Sequence, residues 1–367
     1  MKLYIIAGEP SGDLHGSNLL RELKNMHPGL QARGMGGDQL QQQGMDLLIH
    51  CREMNFMGFV EVVKHLPAIL TNMKRIKADI LQYRPDAVIL IDYPGFNLRM
   101  AEFCKAQGIK VIYYISPQIW AWKTSRVKKI RAFVDRMITI LPFEQEFYRS
   151  HGVEVAYAGH PLLDAMKDLP EDQEFRRMNG LDERHIIAVL PGSRKMEIRQ
   201  MLPVMLETIA KHMDKYQFVI AGAPSMEPEF YHRFGIPPQV KLVQGQTYPL
   251  LQHACAALVT SGTATLETAL FNVPQVVCYR GNKISYHIAR RLVKVNYISL
   301  VNLILDKPAV KELIQHDLTP ANLEKEFMNI TGQGREAMFR DYAILKEKLG
   351  NSGASRKAAE VVSALLA

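Results

Sequence analysis

Residues 86–92 have the sequence DAVILID, an uninterrupted apolar run with an acid at each end. Such a run, without alternating polar residues, is typical of a parallel strand that is buried on both faces. Because strands of this kind alternate with helical patterns in two batches, the sequence predicts two doubly wound, Rossmann-like α/β domains. The other runs are residues 3–7, 110–115, 136–141, 186–190, 217–221, 240–243, 257–260 and 275–278.

Chain length agrees with two domains, since 367 residues exceed the roughly 250–300 at which a single core usually divides. The formal charge of +8 favours anionic partners such as phosphates, nucleic acid or acidic lipid. The four cysteines are widely spaced, which is typical of a reducing compartment and does not indicate a metal site. No apolar stretch approaches the ~20 residues of a membrane span, so we expect a cytoplasmic protein that can still lie on a membrane.

Two stretches of the second domain combine a strand end, a turn of small residues and a helix start. They are LPGSR at 190–194 and TSGTATLE at 260–267. The first N–H groups of a helix and its partial positive charge hold phosphate well. Gly192 would let the backbone approach the anion and Arg194 would add a forked donor. The alternative is an ordinary connection in which Arg194 is solvated.

In the second stretch, Glu267 lies one turn into the helix, where it is placed to accept hydrogen bonds from both hydroxyls of a ribose. The alternative is that Ser261 or Thr263 is only the N-cap and that Glu267 complements the helix dipole. Because one domain contains two helix N-termini suited to phosphate, a binding site for a nucleotide diphosphate is favoured over the purely structural explanation of each stretch.

Asp92 ends its strand in the first domain. Ligands of open α/β sheets bind beyond the carboxyl ends of strands, so a carboxylate there is placed to act as a general base. The alternative is a turn-forming Asp. The loop AGEPSGDLHGS at 7–17 lacks G-x-G-x-x-G, which argues against a nicotinamide site. It does place Glu9, Ser11 and Asp13 at the end of the first strand, on the side of Asp92.

Two surface stretches combine apolar and basic residues: 54–70, and 123–136 with its six basic residues. Both are explained by helices that bury one face in the core. The alternative is a surface that contacts anionic lipid. The residues that we predict for such membrane contact are Phe56, Phe59, Val63, Leu66, Lys128, Lys129 and Arg131.

Nearly the whole chain resembles one family, the lipid-A-disaccharide synthases of the GT-B glycosyltransferase class. The combination of SPQIWAWK at 116–123, LPGSR and SGTATLE, in this order, is far more specific than any one motif. Further shared motifs are AGEPSGDLHGS at 7–17, MGFVEV at 57–62, IDYPGFN at 91–97, LPFE at 141–144, AGHPLLD at 158–164, YR at 279–280, ARRLVK at 289–294 and YISLVNL at 297–303.

The resemblance implies an inverting, metal-independent hexosyltransferase with no cofactor. The donor would be UDP-2,3-diacylglucosamine and the acceptor 2,3-diacylglucosamine 1-phosphate, giving a β-1,6-linked disaccharide 1-phosphate and UDP. Asp92 would be the base, with Glu9 and Ser11 lining the acceptor side. The donor would contact Gly192, Ser193, Arg194, Ser261, Gly262, Thr263, Glu267 and Asn302.

The resemblance also implies a domain plan. Residues 1–165 would form the acceptor and lipid domain, with helix 350–367 packed back on it, and residues 166–349 the UDP-sugar domain. The enzyme would work peripherally on the inner face of the cytoplasmic membrane of a Gram-negative bacterium. It would bind anionic lipid and no nucleic acid, and the sequence leaves room for a homodimer.

Two other functions remain compatible with parts of the sequence. A UDP-N-acetylglucosamine 2-epimerase-type isomerase shares the fold but acts on a soluble sugar, so it has no use for an exposed apolar helix. A non-enzymatic basic module that binds a membrane or nucleic acid would explain residues 123–136. It would leave Asp92 and both phosphate-ready turns without a role.

Overall fold

The computed structural model describes residues 1–54, 66–122, 124–167, 169–170, 172–281 and 295–366. The chain divides into two compact units, one of Met1–Asp168 with Leu349–Ala367 and the other of Leu169–Lys348. Each unit contains one sheet in which every described strand pair is parallel. The predicted class, two doubly wound α/β domains, is confirmed.

The first unit is built on a seven-stranded sheet. The strands are β1 (Lys2–Ala7), β2 (Gln31–Gly36), β3 (Asp46–His50), β4 (Ala87–Ile91), β5 (Lys110–Tyr114), β6 (Arg136–Thr139) and β7 (Val155–Tyr157). They lie in the order β3-β2-β1-β4-β5-β6-β7. The helices are α1 (Pro10–Met26), α2 (Asp38–Gln42), α3 (Leu66–Tyr83), α4 (Pro94–Ala106), α5 (Ile119–Trp122), α6 (Val127–Phe133), α7 (Glu144–Arg149), α8 (Pro161–Met166) and the C-terminal helix (Ala354–Leu366).

The centre of this sheet is apolar because β1 and β4 contribute almost only buried aliphatic and aromatic side chains. Burial at roughly 25 cal/mol per Å² of apolar surface makes such strands the main source of stability. The pair Ala7 and Ile91 ends the register between β1 and β4. The loops that follow these two strands therefore leave the sheet side by side at its carboxyl edge.

The C-terminal helix is fixed to the first unit by the side chain of Asp164 on α8. Its carboxylate accepts hydrogen bonds from the backbone N–H groups of Gly353 (2.5 Å), Ala354 (3.2 Å) and Ser355 (2.8 Å). Burial alone would raise the pKa of Asp164, but these N–H donors lower it below its ordinary value. One carboxylate thus satisfies the N-terminal donors of a helix that lies nearly 190 residues further along the chain.

The second unit contains a six-stranded sheet in the order β10-β9-β8-β11-β12-β13. Its strands are β8 (His185–Leu190), β9 (Tyr216–Gly222), β10 (Lys241–Gln244), β11 (Ala254–Thr260), β12 (Gln275–Tyr279) and β13 (Lys311–Ile314). Its helices are α9 (Phe175–Met178), α10 (Lys195–Ile209), α11 (Pro228–His232), α12 (Thr247–His253), α13 (Thr263–Leu270), α14 (Leu300–Leu305), α15 (Pro320–Thr331) and α16 (Arg335–Leu349).

The structure adds strands β2, β3, β7 and β13 to those predicted from apolar runs. Strand β2 has the glycine-rich sequence QARGMG, which carries no apolar run. Gly34 is needed there because a Cβ would collide with the carbonyl oxygen of Ile5 on the neighbouring strand. Helix α1 begins at Pro10, because proline is well suited to the first helical position.

Candidate functional site

Asp92 lies directly after β4, at the carboxyl edge of the first sheet. Its φ of +44° and that of Tyr93, +47°, are left-handed, which is uncommon for residues other than glycine. The buried amide of Asn97 holds this turn by donating to the carbonyl oxygens of Ile91 (3.1 Å) and Asp92 (2.8 Å). The position of the Asp92 carboxylate is therefore set by a strained turn with its own support.

Glu9 follows the neighbouring strand β1 and acts on Asp92 through its charge. Burial, and after it the negative charge of Glu9, raises the pKa of Asp92 to about 7. The two loops pack closely, since a Cβ on Gly8 would lie 2.5 Å from the Tyr93 ring. The structure thus brings together the two acids that the sequence placed on one side of the sheet. Such a pKa suits a general base at neutral pH.

The other two polar residues of the first loop have different surroundings. Ser11 is exposed in the first turn of α1. Asp13 is buried, and its carboxylate accepts from the backbone N–H groups of Gly37 (2.7 Å), Gln39 (3.0 Å) and Leu40 (3.1 Å). Asp13 therefore caps α2 and is a structural residue.

Glu144, in the LPFE motif, is a buried acid at the same edge to which the sequence gave no role. It accepts hydrogen bonds from the backbone N–H groups of Ile140 (3.2 Å) and Leu141 (3.0 Å) and from the indole of Trp120 (3.3 Å). Burial raises the pKa of Glu144 to about 7. It ties the loop after β6 to the loop after β5, which contains the SPQIW motif.

In the second unit, the LPGSR turn joins β8 to α10. Gly192 has a φ of +113°, and a Cβ there would lie 2.7 Å from the Cβ of Glu197. The Glu197 carboxylate accepts from the backbone N–H groups of Ser193 (3.0 Å) and Arg194 (3.3 Å) and from the Arg194 guanidinium (2.6 Å). The Glu197 carboxylate thus occupies the donors that the sequence assigned to phosphate and forms a capping box at the start of α10. Phosphate binding at this turn stays a prediction.

The SGTATLE turn joins β11 to α13. Gly262 precedes the helix, which begins at Thr263. Ser261 donates its hydroxyl hydrogen to the carbonyl oxygen of Ile298 (3.1 Å). The first N–H groups of α13 are the donors that we predict for an anion. Glu267 accepts a hydrogen bond from Tyr248 (2.8 Å), and burial raises the pKa of Glu267. Tyr248 was missed because it lies 19 residues before Glu267 on another helix.

Asn302 is buried and its side chain is fully engaged within the unit. The amide nitrogen donates to the carbonyl oxygen of Val310 (2.8 Å) and to Glu312 (2.9 Å), and the amide oxygen accepts from the Val310 N–H (2.9 Å). The predicted direct contact with the donor sugar stays a prediction. The hydrogen bonds show that Asn302 also supports the fold of its loop.

The residues predicted for membrane contact are described in part. Leu66 and Leu70 of α3 are each 42% exposed. Lys128, Lys129 and Arg131 are exposed on α6, whose apolar residues face the core. Phe56, Phe59 and Val63 lie outside the described residues. Over the residues that the structure describes, no helix is both long and apolar enough to cross a membrane.

Comparison with known proteins decides the family. A family model described as lipid-A-disaccharide synthetase matches residues 3–364. The chain belongs to the lipid-A-disaccharide synthase family. Curated members of this family include the synthase of Syntrophus aciditrophicus strain SB, 42% identical over 99% of this chain and 97% of that protein. The synthase of Myxococcus xanthus strain DK1622 is 40% identical over 100% of this chain and 97% of its own length.

Family membership confirms the predicted function, a glycosyltransferase of lipid A biosynthesis, over the epimerase and the binding module. Solved structures agree in fold. UDP-GlcNAc 2-epimerase of Neisseria meningitidis superposes with a TM-score of 0.68 at 14% identity, covering 100% of both chains. The calicheamicin glycosyltransferase superposes with a TM-score of 0.61 at 16% identity, covering 100% of this chain and 98% of its own.

Proposed function

We propose that this synthase transfers 2,3-diacylglucosamine from UDP-2,3-diacylglucosamine to the 6-hydroxyl of 2,3-diacylglucosamine 1-phosphate. The products are the β-1,6-linked disaccharide 1-phosphate and UDP. The observation that carries the proposal is the Asp92 carboxylate, fixed at a sheet edge with a pKa of about 7. It is supported by the turn at Gly192–Arg194, whose N–H and guanidinium donors gather around one carboxylate, in a chain of this family.

In this mechanism Asp92 removes the proton of the acceptor hydroxyl as the oxygen attacks the anomeric carbon of the donor. The bond from that carbon to the UDP oxygen breaks, and both of its electrons leave with UDP. One displacement inverts the α-linked donor to a β-linked product, so no enzyme nucleophile is required. Glu9 and Ser11, in the segment that follows β1, line the acceptor side.

On the donor side, the pyrophosphate competes with Glu197 for the N–H groups of Ser193 and Arg194 and for the Arg194 guanidinium. It also takes the first N–H groups of α13, after Gly262. Donors fixed in this way stabilise the charge that develops on UDP as it leaves, which is the largest contribution in many transferases. We assign no step to a resident metal ion or cofactor.

Glu267 binds the ribose hydroxyls of UDP. Its buried carboxylate has one oxygen bonded to Tyr248, and burial raises its pKa, so further donors stabilise the ionised form. A ribose diol supplies two such donors.

The acyl chains of both substrates come from a lipid phase, and we propose that the enzyme binds the inner face of the cytoplasmic membrane. Leu66 and Leu70 are exposed on α3, and the next turn carries exposed Lys74 and Arg75. Apolar side chains beside cations are the pattern of an interfacial helix on anionic lipid. Lys128, Lys129 and Arg131, exposed on α6, add further positive charge that would attract anionic lipid.

The experiment that tests the proposed function measures disaccharide and UDP formation from the two lipid substrates in detergent, with excess EDTA. Appearance of both products in equal amounts supports the reaction and its independence of a free metal ion. Loss of product on adding EDTA, restored by a divalent cation, would contradict the metal-independent mechanism. Absence of product with EDTA and without it, from protein that still binds UDP, would overturn the reaction itself.

Replacing Glu9 with glutamine is expected to shift the acidic limb of the pH–rate profile to lower pH. The rate of the wild-type enzyme falls as pH drops through about 7, because only ionised Asp92 accepts the proton. The charge of Glu9 raises that pKa, so removing it lowers the pKa. Since burial is the larger cause of the raised pKa, we expect only a modest shift. At pH 6, kcat as a fraction of its plateau value should be roughly two- to threefold higher in Glu9→Gln than in the wild-type enzyme. Glu22→Gln is the control, because this carboxylate pairs with Arg21 (3.5 Å) on α1, and an unchanged midpoint in Glu9→Gln would contradict the coupling.

Replacing Gly192 with alanine is expected to weaken UDP binding roughly tenfold, because the added Cβ strains a φ of +113° and collides with Glu197. Isothermal titration calorimetry with UDP measures this. Gly235→Ala is the matched control, since Gly235 also has a positive φ, +66°, but a Cβ there meets nothing within 4 Å. Equal UDP affinity of Gly192→Ala and wild type would argue against a phosphate at this turn.

A further inference from the structure

Glu312, on β13, gathers an unusual number of hydrogen-bond donors from one loop. Its carboxylate accepts from the backbone N–H groups of Ile298 (3.0 Å) and Ser299 (2.9 Å), from the Ser299 hydroxyl (2.8 Å) and from the Asn302 amide (2.9 Å). A carboxylate accepts all four without presenting a donor of its own. No sequence motif pointed to this residue.

Residues 295–299, which precede α14, have no regular structure. The consecutive backbone N–H groups of Ile298 and Ser299 both donate to the Glu312 side chain. Ser299 in turn caps α14 by accepting from the N–H of Asn302 (3.3 Å). The path of residues 298–302 is therefore determined by the carboxylate of Glu312.

Residues 298–302 also fix the position of the SGTATLE turn. The carbonyl oxygen of Ile298 accepts the hydroxyl hydrogen of Ser261 (3.1 Å), while the Ser261 N–H donates to the carbonyl oxygen of Cys278 (2.9 Å). A continuous chain of hydrogen bonds thus runs from Glu312 through Ile298 to Ser261, two residues before the start of α13. Moving Ile298 would remove one of the two bonds that orient Ser261.

We propose that Glu312 is a positioning residue of the nucleotide-sugar site. By fixing Ile298 it orients Ser261, so that the first N–H groups of α13 face the pyrophosphate. This inference rests on the proposed function, which places UDP at that turn. Glu312 itself touches no substrate, because its oxygens are already bonded to the loop.

The test compares Glu312→Gln with wild type in UDP affinity, by calorimetry, and in steady-state kinetics. Glutamine turns an amide donor toward backbone N–H groups, so the loop must move. We expect UDP affinity to fall about tenfold, because the substitution removes several hydrogen bonds to a charged acceptor. KM for the UDP-sugar should rise, with KM for the acceptor unchanged. Glu324→Gln is the control, because that carboxylate pairs with Lys211 (2.9 Å) on the surface of the same unit.

A double-mutant cycle with Ser261→Ala separates positioning from general stabilisation. Without the Ser261 hydroxyl the link to Ile298 is broken, so Glu312→Gln should then change UDP affinity much less than in the wild-type background. An equal effect in both backgrounds, or wild-type UDP affinity in Glu312→Gln, overturns the inference. If Glu312→Gln does not fold, Ser299→Ala removes one donor and should weaken UDP binding in the same direction; unchanged affinity then overturns it. If wild-type protein binds no UDP, the proposed function fails instead.

Discussion

Asp92→Asn is expected to lower turnover by about 10²–10⁴-fold, the usual contribution of a positioned general base. UDP affinity should stay that of the wild-type enzyme, because the nucleotide is assigned to the other unit. Asparagine is the informative replacement, since it tolerates the left-handed backbone at this position and alanine does not. Product formation and UDP calorimetry on the same preparation measure the two quantities.

Glu102→Gln provides a matched control for this experiment. Glu102 lies on α4, the helix that follows Asp92, and its exposed carboxylate pairs with Lys129 (3.0 Å). Its loss should leave turnover unchanged. Two results would contradict the role of Asp92: turnover within tenfold of wild type in Asp92→Asn, or a fall in UDP affinity that equals the fall in rate.

Asp164→Ala is expected to release the C-terminal helix from the first unit. It removes the acceptor of three backbone N–H groups, which we expect to cost roughly 2–4 kcal/mol of the free energy that holds this helix. Native-state hydrogen exchange should show faster exchange of amides in Ala354–Leu366 while the β4 amides stay protected. Asp164→Asn keeps one oxygen acceptor and should lie between alanine and wild type.

The same contact predicts a dependence on pH. The pKa of Asp164 is lowered in the folded protein, so its stabilisation is complete above the ordinary value of 3.8 and is lost as pH falls through the folded value. Glu360→Ala, an exposed substitution on the C-terminal helix that leaves the Asp164 contact in place, is the control. Unchanged exchange of the C-terminal helix in Asp164→Ala would show that its apolar contacts alone hold it.

The sequence predicted those parts of the fold that local pattern determines. Strand β4 and the position of Asp92 follow from one apolar run and the acid after it. Strand β2 could not be predicted, because its sequence has no apolar run and the need for Gly34 is seen only in the approach of Ile5 on the neighbouring strand. Glu312 and Tyr248 could not be found either. Each contacts its partners only after the sheet has formed, and neither belongs to a motif that marks the contact.

The return of the C-terminal helix to the first unit also constrains how the chain folds during synthesis. The 180 residues of Leu169–Lys348 are translated after Asp164 but before the helix that it caps. At about 5–20 residues per second, the ribosome needs roughly 10–35 s to make them. During that interval α1 lacks the C-terminal helix as a neighbour, and the apolar surface later covered by Ala358, Ala359 and Val362 stays open to chaperones. The second unit can thus complete its fold before the first one does.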